Sequence, residues 1–146
     1  MMMLRNTSDN LRVVFDTNIF IAAFLRPGLS EELVDRLIDR EFDLFSSPDL
    51  INELVETLRE KPILTRYSQQ DFINTVKRTV RLVYPTEKVL VIKRDPDDNR
   101  VLECALAAKA KLIVTLDKDL LDLKTWQGVT ITHPKTFSWI IPKNES

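Results

Sequence analysis

The chain has 146 residues, of which 44% are hydrophobic, 21 are basic and 22 are acidic. These proportions suit one globular domain with a sizeable core, and a formal net charge of −1 excludes the broadly basic surface of a general nucleic-acid binder. With two glycines, one cysteine and one histidine, the chain cannot form a glycine-rich phosphate loop, a zinc cluster, an internal disulfide or a paired-histidine catalytic site. Carboxylates acting with a metal ion are the chemistry that the composition best supports.

The termini and the apolar stretches predict a cytoplasmic protein. Residues 1–10 lack the apolar core of a secretory signal, and the longest charge-free apolar stretch near the start, Thr17–Leu25, is too short to span a bilayer. A single cysteine fits a reducing compartment. We expect a flexible tail at residues 1–10, a single domain at 11–142 and a short tail at 143–146.

Strand and helix signals alternate along the chain. The first unit is a short buried strand followed by Asp16 and by an apolar helix that ends before Pro27. Ser30 and Ser47 are polar residues of the type that cap the next two helices. In chain order the pattern predicts a strand at 11–15, helices at 19–25 and 31–38, a strand at 42–45, helices at 48–60 and 69–83, a strand at 89–92, a helix from 98 to 109, a strand at 112–115, a short helix from 117, a strand at 129–131 and a closing helix at 134–141.

Strands that alternate with helices pair in parallel, because the chain needs a crossover to return to the same edge of the sheet. The pattern therefore predicts an α/β fold, namely a three-layer α/β/α sandwich around a central, mostly parallel, five-stranded sheet. In such folds, functional sites form beyond the carboxyl ends of the strands.

Acidic residues follow three of the predicted strands. These are Asp16 after the first strand, Asp98 after the third, and Asp117 and Asp119 after the fourth. Because the carboxyl ends of parallel strands share one edge of the sheet, we expect these side chains to converge. Glu53, in the third helix, is a further acid within reach of the same edge.

Each acid also has an ordinary structural interpretation. Asp16 has the position of a helix N-cap, and the acids after the fourth strand have that of first-turn residues favoured by the helix dipole. Asp98 falls within the apolar arc of its helix, so it is either a cap or an acid with a cation partner. Asp95 and Asp97 are typical turn residues. Glu53 lies about 130° from the centre of its helix's apolar stripe, which on spacing alone favours a solvated surface.

Converging carboxylates repel one another, so they take up protons or bind hard cations, and oxygen ligands suit Mg²⁺ or Mn²⁺. A metal held in this way activates water for attack on a phosphodiester. We therefore expect phosphoryl-transfer chemistry, with RNA bound by a local group of cations. The basic residues considered for this role are Arg26, Arg59, Arg66, Lys77, Arg78, Arg81 and Lys118.

Four fragments, in order and spacing, resemble a known family. They are Val13-Val14-Phe15-Asp16-Thr17-Asn18-Ile19-Phe20, Ser47 with Glu53-Leu54, Asp95-Pro96-Asp97-Asp98-Asn99 before Ala105, and Val114-Thr115-Leu116-Asp117-Lys118-Asp119-Leu120. From about residue 12 to residue 139, the sequence resembles a PIN domain of the kind found as the toxin component of toxin–antitoxin pairs.

The resemblance implies a metal-dependent ribonuclease that leaves a 5′-phosphate and a 3′-hydroxyl. Asp16, Glu53 and Asp98 match the family's three central acids, and Asp117 matches its more variable fourth acid. By the same resemblance, the residues that support the acids are Thr17, Asn18, Thr115 and Asp119. The resemblance further implies an antitoxin that masks the acids and a homodimer formed through the third and fourth helices.

The leading hypothesis is a Mg²⁺- or Mn²⁺-dependent endoribonuclease that cuts single-stranded RNA. The alternative is a non-catalytic RNA-binding or assembly module that keeps the fold and binds RNA equally well in EDTA. A signalling receiver domain is a third class, which needs a lysine after the last strand. Lys135 is the one candidate for that lysine, and the receiver-domain hypothesis leaves Glu53 and Asp117 unexplained.

Overall fold

The computed structural model of the protein describes residues 10–61 and 66–141. The strands are β1 (Arg12–Phe15), β2 (Asp43–Ser46), β3 (Arg81–Leu82), β4 (Leu112–Val114), β5 (Thr125–Trp126) and β6 (Val129–Thr132). The helices are α1 (Thr17–Leu25), α2 (Leu29–Ile38), α3 (Pro48–Arg59), α4 (Arg66–Thr79), α5 (Asn99–Ala108), α6 (Lys118–Leu121) and α7 (Pro134–Ile140), and a 3₁₀ turn at Pro96–Asp98 precedes α5. Residues 1–9 of the tail expected at 1–10 and the whole of the tail expected at 143–146 lie outside the described residues, as does residue 142 of the expected domain.

The sheet confirms the predicted α/β architecture. The strand order is β3-β2-β1-β4-β6-β5, and every neighbouring pair is parallel except β5 with β6. Within the described ranges the sheet has six strands rather than the predicted five. β1 and β4 occupy its centre, and Val14 is level with Phe45 on one side and with Ile113 on the other.

Alternate residues of β1 face two separate cores, which place helices on both faces of the sheet. Val13 and Phe15 pack into a core shared with α1, α2, α3, α4 and α7, whereas Val14 faces a second core shared with α5 and α6. In the first core, the Phe15 ring lies 5.7 Å from that of Phe42 and 5.9 Å from that of Phe137, centroid to centroid. Residues buried on both sides explain why the central strands are continuously apolar.

The predicted strand at 89–92 is wrong, because side chains of α5 bind its backbone in place of a neighbouring strand. The Val89 amide donates to Glu103 Oε2 at 3.0 Å. The Ile92 amide donates to Asn99 Oδ1 and its carbonyl accepts from Asn99 Nδ2, both at 2.8 Å. Val89 and Ile92 are nevertheless buried, so the segment keeps the apolar pattern of a strand without joining the sheet.

Two short strands were not predicted. The helix expected over 69–83 ends at Thr79, and the third strand pairs its Arg81 and Leu82 with the end of β2. β5 joins β6 through a two-residue hairpin in which Gln127 and Gly128 both have positive φ, at 47° and 81°. Turns of this kind match the twist of the strands they connect. Both strands have only two residues, too few for an alternating pattern to appear.

Most helix boundaries agree with the predictions, and the caps differ in one case. Ser47 caps α3, with its Oγ accepting from the Leu50 amide at 3.3 Å. α2 begins two residues earlier than expected, so Gly28 rather than Ser30 is at its N-cap. Across the described ranges, no helix is long and apolar enough to cross a membrane.

The hydrogen bonds between Asn99 and the backbone at residue 92 give a stability prediction. Asn99→Ala leaves the buried amide and carbonyl of Ile92 without partners, so we expect a loss of about 2–4 kcal/mol in the free energy of unfolding. Asn74→Ala, at an exposed position on α4, should cost less than about 0.5 kcal/mol. Equal losses in urea denaturation would show that Asn99 does not hold the segment.

Candidate functional site

The acids gather where the two central strands end. β1 and β4 run parallel and stop side by side, and the Asp16 amide donates to the Val114 carbonyl at 2.9 Å. The chain continues from β1 into α1 through Asp16 and from β4 into α6 through Thr115 and Asp117. Sequence-distant acids therefore meet at one edge, as the alternation of strands and helices predicted.

Asp16 is a buried carboxylate held from two sides. Its exposed fraction is 5%, and its Oδ2 accepts hydrogen bonds from Thr115 Oγ1 at 2.8 Å and from Asn18 Nδ2 at 3.1 Å. Asp16 occupies the N-cap position of α1, but its side chain makes no capping hydrogen bond. Burial raises the pKa of Asp16, and the charge of Asp117 adds to this effect, while the Thr115 hydroxyl opposes it.

Thr115 connects the two loops that carry the acids. Its hydroxyl donates to Asp16 and accepts from the Asp117 amide at 2.9 Å. Asn18 makes a second connection, since its Oδ1 accepts from the Leu116 amide at 3.3 Å. The polar residues that were expected to support the acids, Asn18 and Thr115, therefore lie between them.

Asp117 is the N-cap of α6 as well as a member of the acidic group. Its Oδ1 accepts from the Asp119 amide at 2.7 Å and from the Leu120 amide at 3.4 Å. Single carboxylate oxygens of Asp98, Asp117 and Asp119 lie within 4.8 Å of one another. Asp117 is thus the N-cap of α6 rather than the first-turn acid that was expected, and both of its capping hydrogen bonds use Oδ1, which leaves Oδ2 out of the cap.

Asp98 is a buried acid, and one of its two carboxylate oxygens makes no hydrogen bond. It ends the 3₁₀ turn before α5, is 8% exposed and makes no side-chain capping hydrogen bond. Its Oδ2 is buried and has no hydrogen-bond partner in the structure. Burial, followed by the charges of Asp117 and Asp16, raises the pKa of Asp98 to about 8. A cation is the ligand that such a group lacks.

Glu53 projects from α3 toward the same edge. The helix spacing alone favoured a fully solvated Glu53, but its side chain is half-buried. Burial and the charge of Asp16 raise the pKa of Glu53 to about 7, against a hydrogen bond with Thr17 that lowers it. The spacing of apolar residues in α3 did not predict this burial, because it reports how α3 packs on the core and not which loops after β1 lie beside Glu53.

Two turn acids and one cation were missed as neighbours of the site. Asp95 caps the 3₁₀ turn, its Oδ1 accepting from the Asp97 amide at 3.3 Å, so the turn interpretation is correct. Both residues also raise the pKa of Glu53 through their charge. Arg94 lies 3.9 Å from Asp119 and is largely exposed. The sequence could have indicated the two turn acids as neighbours of the site, because Asp95 and Asp97 lie within three residues of Asp98.

The donor set fits a hard divalent cation. Its ligands would be carboxylate oxygens alone, and the unpartnered Oδ2 of Asp98 supplies a buried oxygen that lacks a hydrogen bond. The pKa values of Asp16, Glu53 and Asp98 are raised first by burial and then by the negative charge of neighbouring acids. A bound cation would offset this negative charge.

The fold and the acidic edge define an α/β domain with a carboxylate site at the ends of parallel strands. The family model of the PIN domain matches residues 12–119, well over half of the chain, so the protein belongs to the PIN domain family. An uncharacterized protein of Methanocaldococcus jannaschii is 29% identical over 119 residues, which cover 78% of this chain and 76% of that protein.

A solved structure shares the fold. The crystal structure of VapBC2 from Rickettsia felis bound to a DNA fragment from their promoter matches with a TM-score of 0.61 over 84% of this chain and 98% of the matched chain. The two sequences are 14% identical, so this likeness concerns the fold alone.

The buried acids predict a metal-free protein that loses stability as the pH rises. Folded Asp98 has a pKa near 8 against an ordinary value of 3.8, so between these values the folded state holds a proton that the unfolded chain has released. The free energy of unfolding in EDTA should therefore fall from about pH 6 to about pH 8.

Asp98→Asn should remove much of this fall and stabilise the metal-free protein at about pH 8 by an amount on the order of 1 kcal/mol. Mg²⁺ should raise the melting temperature of the unaltered protein but not of the variant. The matched control is Asp122→Asn, which removes an exposed acid at the C-cap of α6. A stability in EDTA that rises over this pH interval would contradict the prediction.

Proposed function

We propose that the protein is an endoribonuclease that hydrolyses phosphodiester bonds of single-stranded RNA with Mg²⁺ or Mn²⁺ bound by Asp16, Glu53, Asp98 and Asp117. The observation that carries this proposal is the buried, unpartnered oxygen of Asp98 beside the carboxylates of Asp117 and Asp119. Membership of the PIN domain family supports a nuclease in general.

The bound metal would supply an activated water and stabilise the negative charge that develops on the phosphate. The protein's own residues then have distinct tasks. Asp16 is oriented by Thr115 and Asn18, so its oxygens stay aimed at the site when a cation is bound. Glu53, held by Thr17, limits the site on the α3 side. Asp119 joins Asp98 and Asp117 closely enough to take part directly or to hold an outer water.

The partners remain proposals of the same kind. The resemblance to the toxin component of toxin–antitoxin pairs, together with the fold shared with VapBC2, supports a protein antitoxin that masks the acidic edge with a basic side chain. A homodimer through α3 and α4 is supported by a cleft there lined by Ile51, Val80 and Leu82, the last of which is 48% exposed. We further propose a cytoplasmic location and treat residues 11–142 as the functional unit.

Cleavage of an end-labelled pool of single-stranded RNA tests the proposal. We expect cutting with Mg²⁺ or Mn²⁺, none in EDTA, and a loss of at least about 100-fold in rate for Asp98→Asn and for Glu53→Gln. Glu56→Gln, one turn further along α3 and exposed, is the matched control and should cut at the normal rate. RNA binding that is identical in EDTA, with no cutting under either metal, would favour the non-catalytic module.

The Thr115 hydroxyl gives a second test, because it positions acids without being one. Thr115→Val keeps the shape but removes the donor to Asp16 and the acceptor for the Asp117 amide. We expect a loss of about 10- to 100-fold in cleavage rate or in Mg²⁺ affinity. Thr115→Ser restores the hydroxyl and should recover most of the activity. An unimpaired Thr115→Val would show that this bridge does not position the acids.

A further inference from the structure

Two clefts of similar size flank the acidic edge, and they differ in charge. One, of about 300 Å³, is lined by Asp49, Glu53, Glu56 and Asp97, with Arg100 and Asn52 beside them. The other, of about 270 Å³, lies between the end of α1, the start of α2 and the loops after β4 and β6. We call it the Leu116 cleft, and its principal lining residues are Arg26, Pro27, Leu29, Leu116, His133 and Pro134.

The Leu116 cleft is part of the site's own framework. Leu116 stands between Thr115, which donates to Asp16, and Asp117. Its amide is bound by Asn18, the same side chain that donates to Asp16. Leu116, two residues after β4, is 42% exposed. A group that occupies this cleft would therefore lie next to the acids.

The chemistry of the lining fits one nucleotide. The cleft includes no acid among its described lining residues and has one guanidinium, that of Arg26, for a phosphate. Leu116 and Pro134 offer apolar surface, and the exposed imidazole of His133 is a ring on which a base can stack. His133 Nδ1 accepts from the Lys135 amide at 3.0 Å, so the neutral ring carries its proton on Nε2, free to donate to a base or sugar.

Charge decides between the two clefts. The first cleft presents four carboxylates against the one guanidinium of Arg100, and the Leu116 cleft presents the guanidinium of Arg26 with no acid among its described lining residues. A polyanion is therefore repelled by the first cleft and attracted by the second, and at such short distances salt screens the difference least. The volume of the Leu116 cleft is near the lower end of small-molecule sites, about 300 Å³, which suits a single nucleotide unit.

We propose that the Leu116 cleft binds the nucleotide adjacent to the scissile phosphate, with Arg26 on the flanking phosphate and with Leu116 and His133 on the base. This proposal rests on the proposed ribonuclease function. Leu116 and His133 are then specificity-determining residues, since they contact the base and not the reacting phosphorus.

The single histidine provides a direct test, because one imidazole Cε1–H signal in the proton NMR spectrum reports on the cleft alone. In the Asp98→Asn protein, which lacks one of the repelling carboxylates and should not cut, titration with a single-stranded RNA hexanucleotide in EDTA should move this signal saturably. Adding Arg26→Gln should weaken the apparent affinity about tenfold. Adding Lys111→Gln instead, which removes an exposed cation before β4 at the opposite edge of the sheet, should weaken it about twofold or less.

Cleavage kinetics in the otherwise unaltered protein supply the second readout. Leu116→Ala and His133→Asn, the latter keeping a capping side chain for α7, should raise KM for RNA about fivefold with little change in kcat and should alter the pattern of cut positions. Metal-dependent cutting with unchanged KM and cut positions, and a His133 signal that RNA does not move, would overturn the subsite and leave the nuclease standing. Without any metal-dependent cutting, a His133 signal that RNA moves and Arg26→Gln abolishes would overturn the nuclease and support the cleft as an RNA contact.

Discussion

A hydrogen bond from the Thr115 hydroxyl to Asp16 joins the carboxyl ends of the two central strands. It is 2.8 Å long and links residues that are 99 positions apart in the sequence. Several acids lie buried or half-buried around this hydrogen bond. Burying a carboxylate costs free energy unless the group is hydrogen-bonded or paired. The same hydroxyl accepts from the Asp117 amide, so a single neutral group fixes the spacing between two acids. The rest of the site depends on this bridge because the acids themselves repel one another and cannot hold their own geometry.

Much of the fold was predictable because its physical causes are local in sequence. β1 and β4 are buried on both faces and appear as short apolar runs, and Ser47 with Pro48 marks the start of α3. The failure at residues 89–92 has a different cause. There the backbone partners are two side chains of a later helix, and an apolar pattern does not distinguish a strand in a sheet from an extended segment bound by Asn99 and Glu103.

The site divides in the same way. Asp16 and Asp117 were predictable because β1 and β4 are parallel and end at one edge of the sheet. Asp98 was expected there for the wrong reason, since no strand forms at 89–92 and the 3₁₀ turn before α5 carries it instead. The orientation of Glu53 depends on how α3 packs beside the loop after β1; helix spacing alone favoured a solvated surface, and the family resemblance placed it among the acids. The closeness of Asp119 to Asp98 likewise depends on how α6 begins, because Asp117 caps that helix and brings the next acid back toward the 3₁₀ turn.

The difference in charge between the two flanking clefts indicates the side from which RNA would approach the acidic edge. Without a cation, the net negative charge of the acidic edge and of the cleft around Glu53 and Asp97 opposes the approach of a phosphate, whereas the side of Arg26 favours it. A bound divalent cation cancels part of this repulsion, so cation and RNA would bind with positive coupling, and by linkage each would strengthen the other. Under the proposed function, the unpartnered oxygen of Asp98 would act in binding as well as in chemistry, because the charge that destabilises the metal-free fold would also make RNA binding depend on the metal.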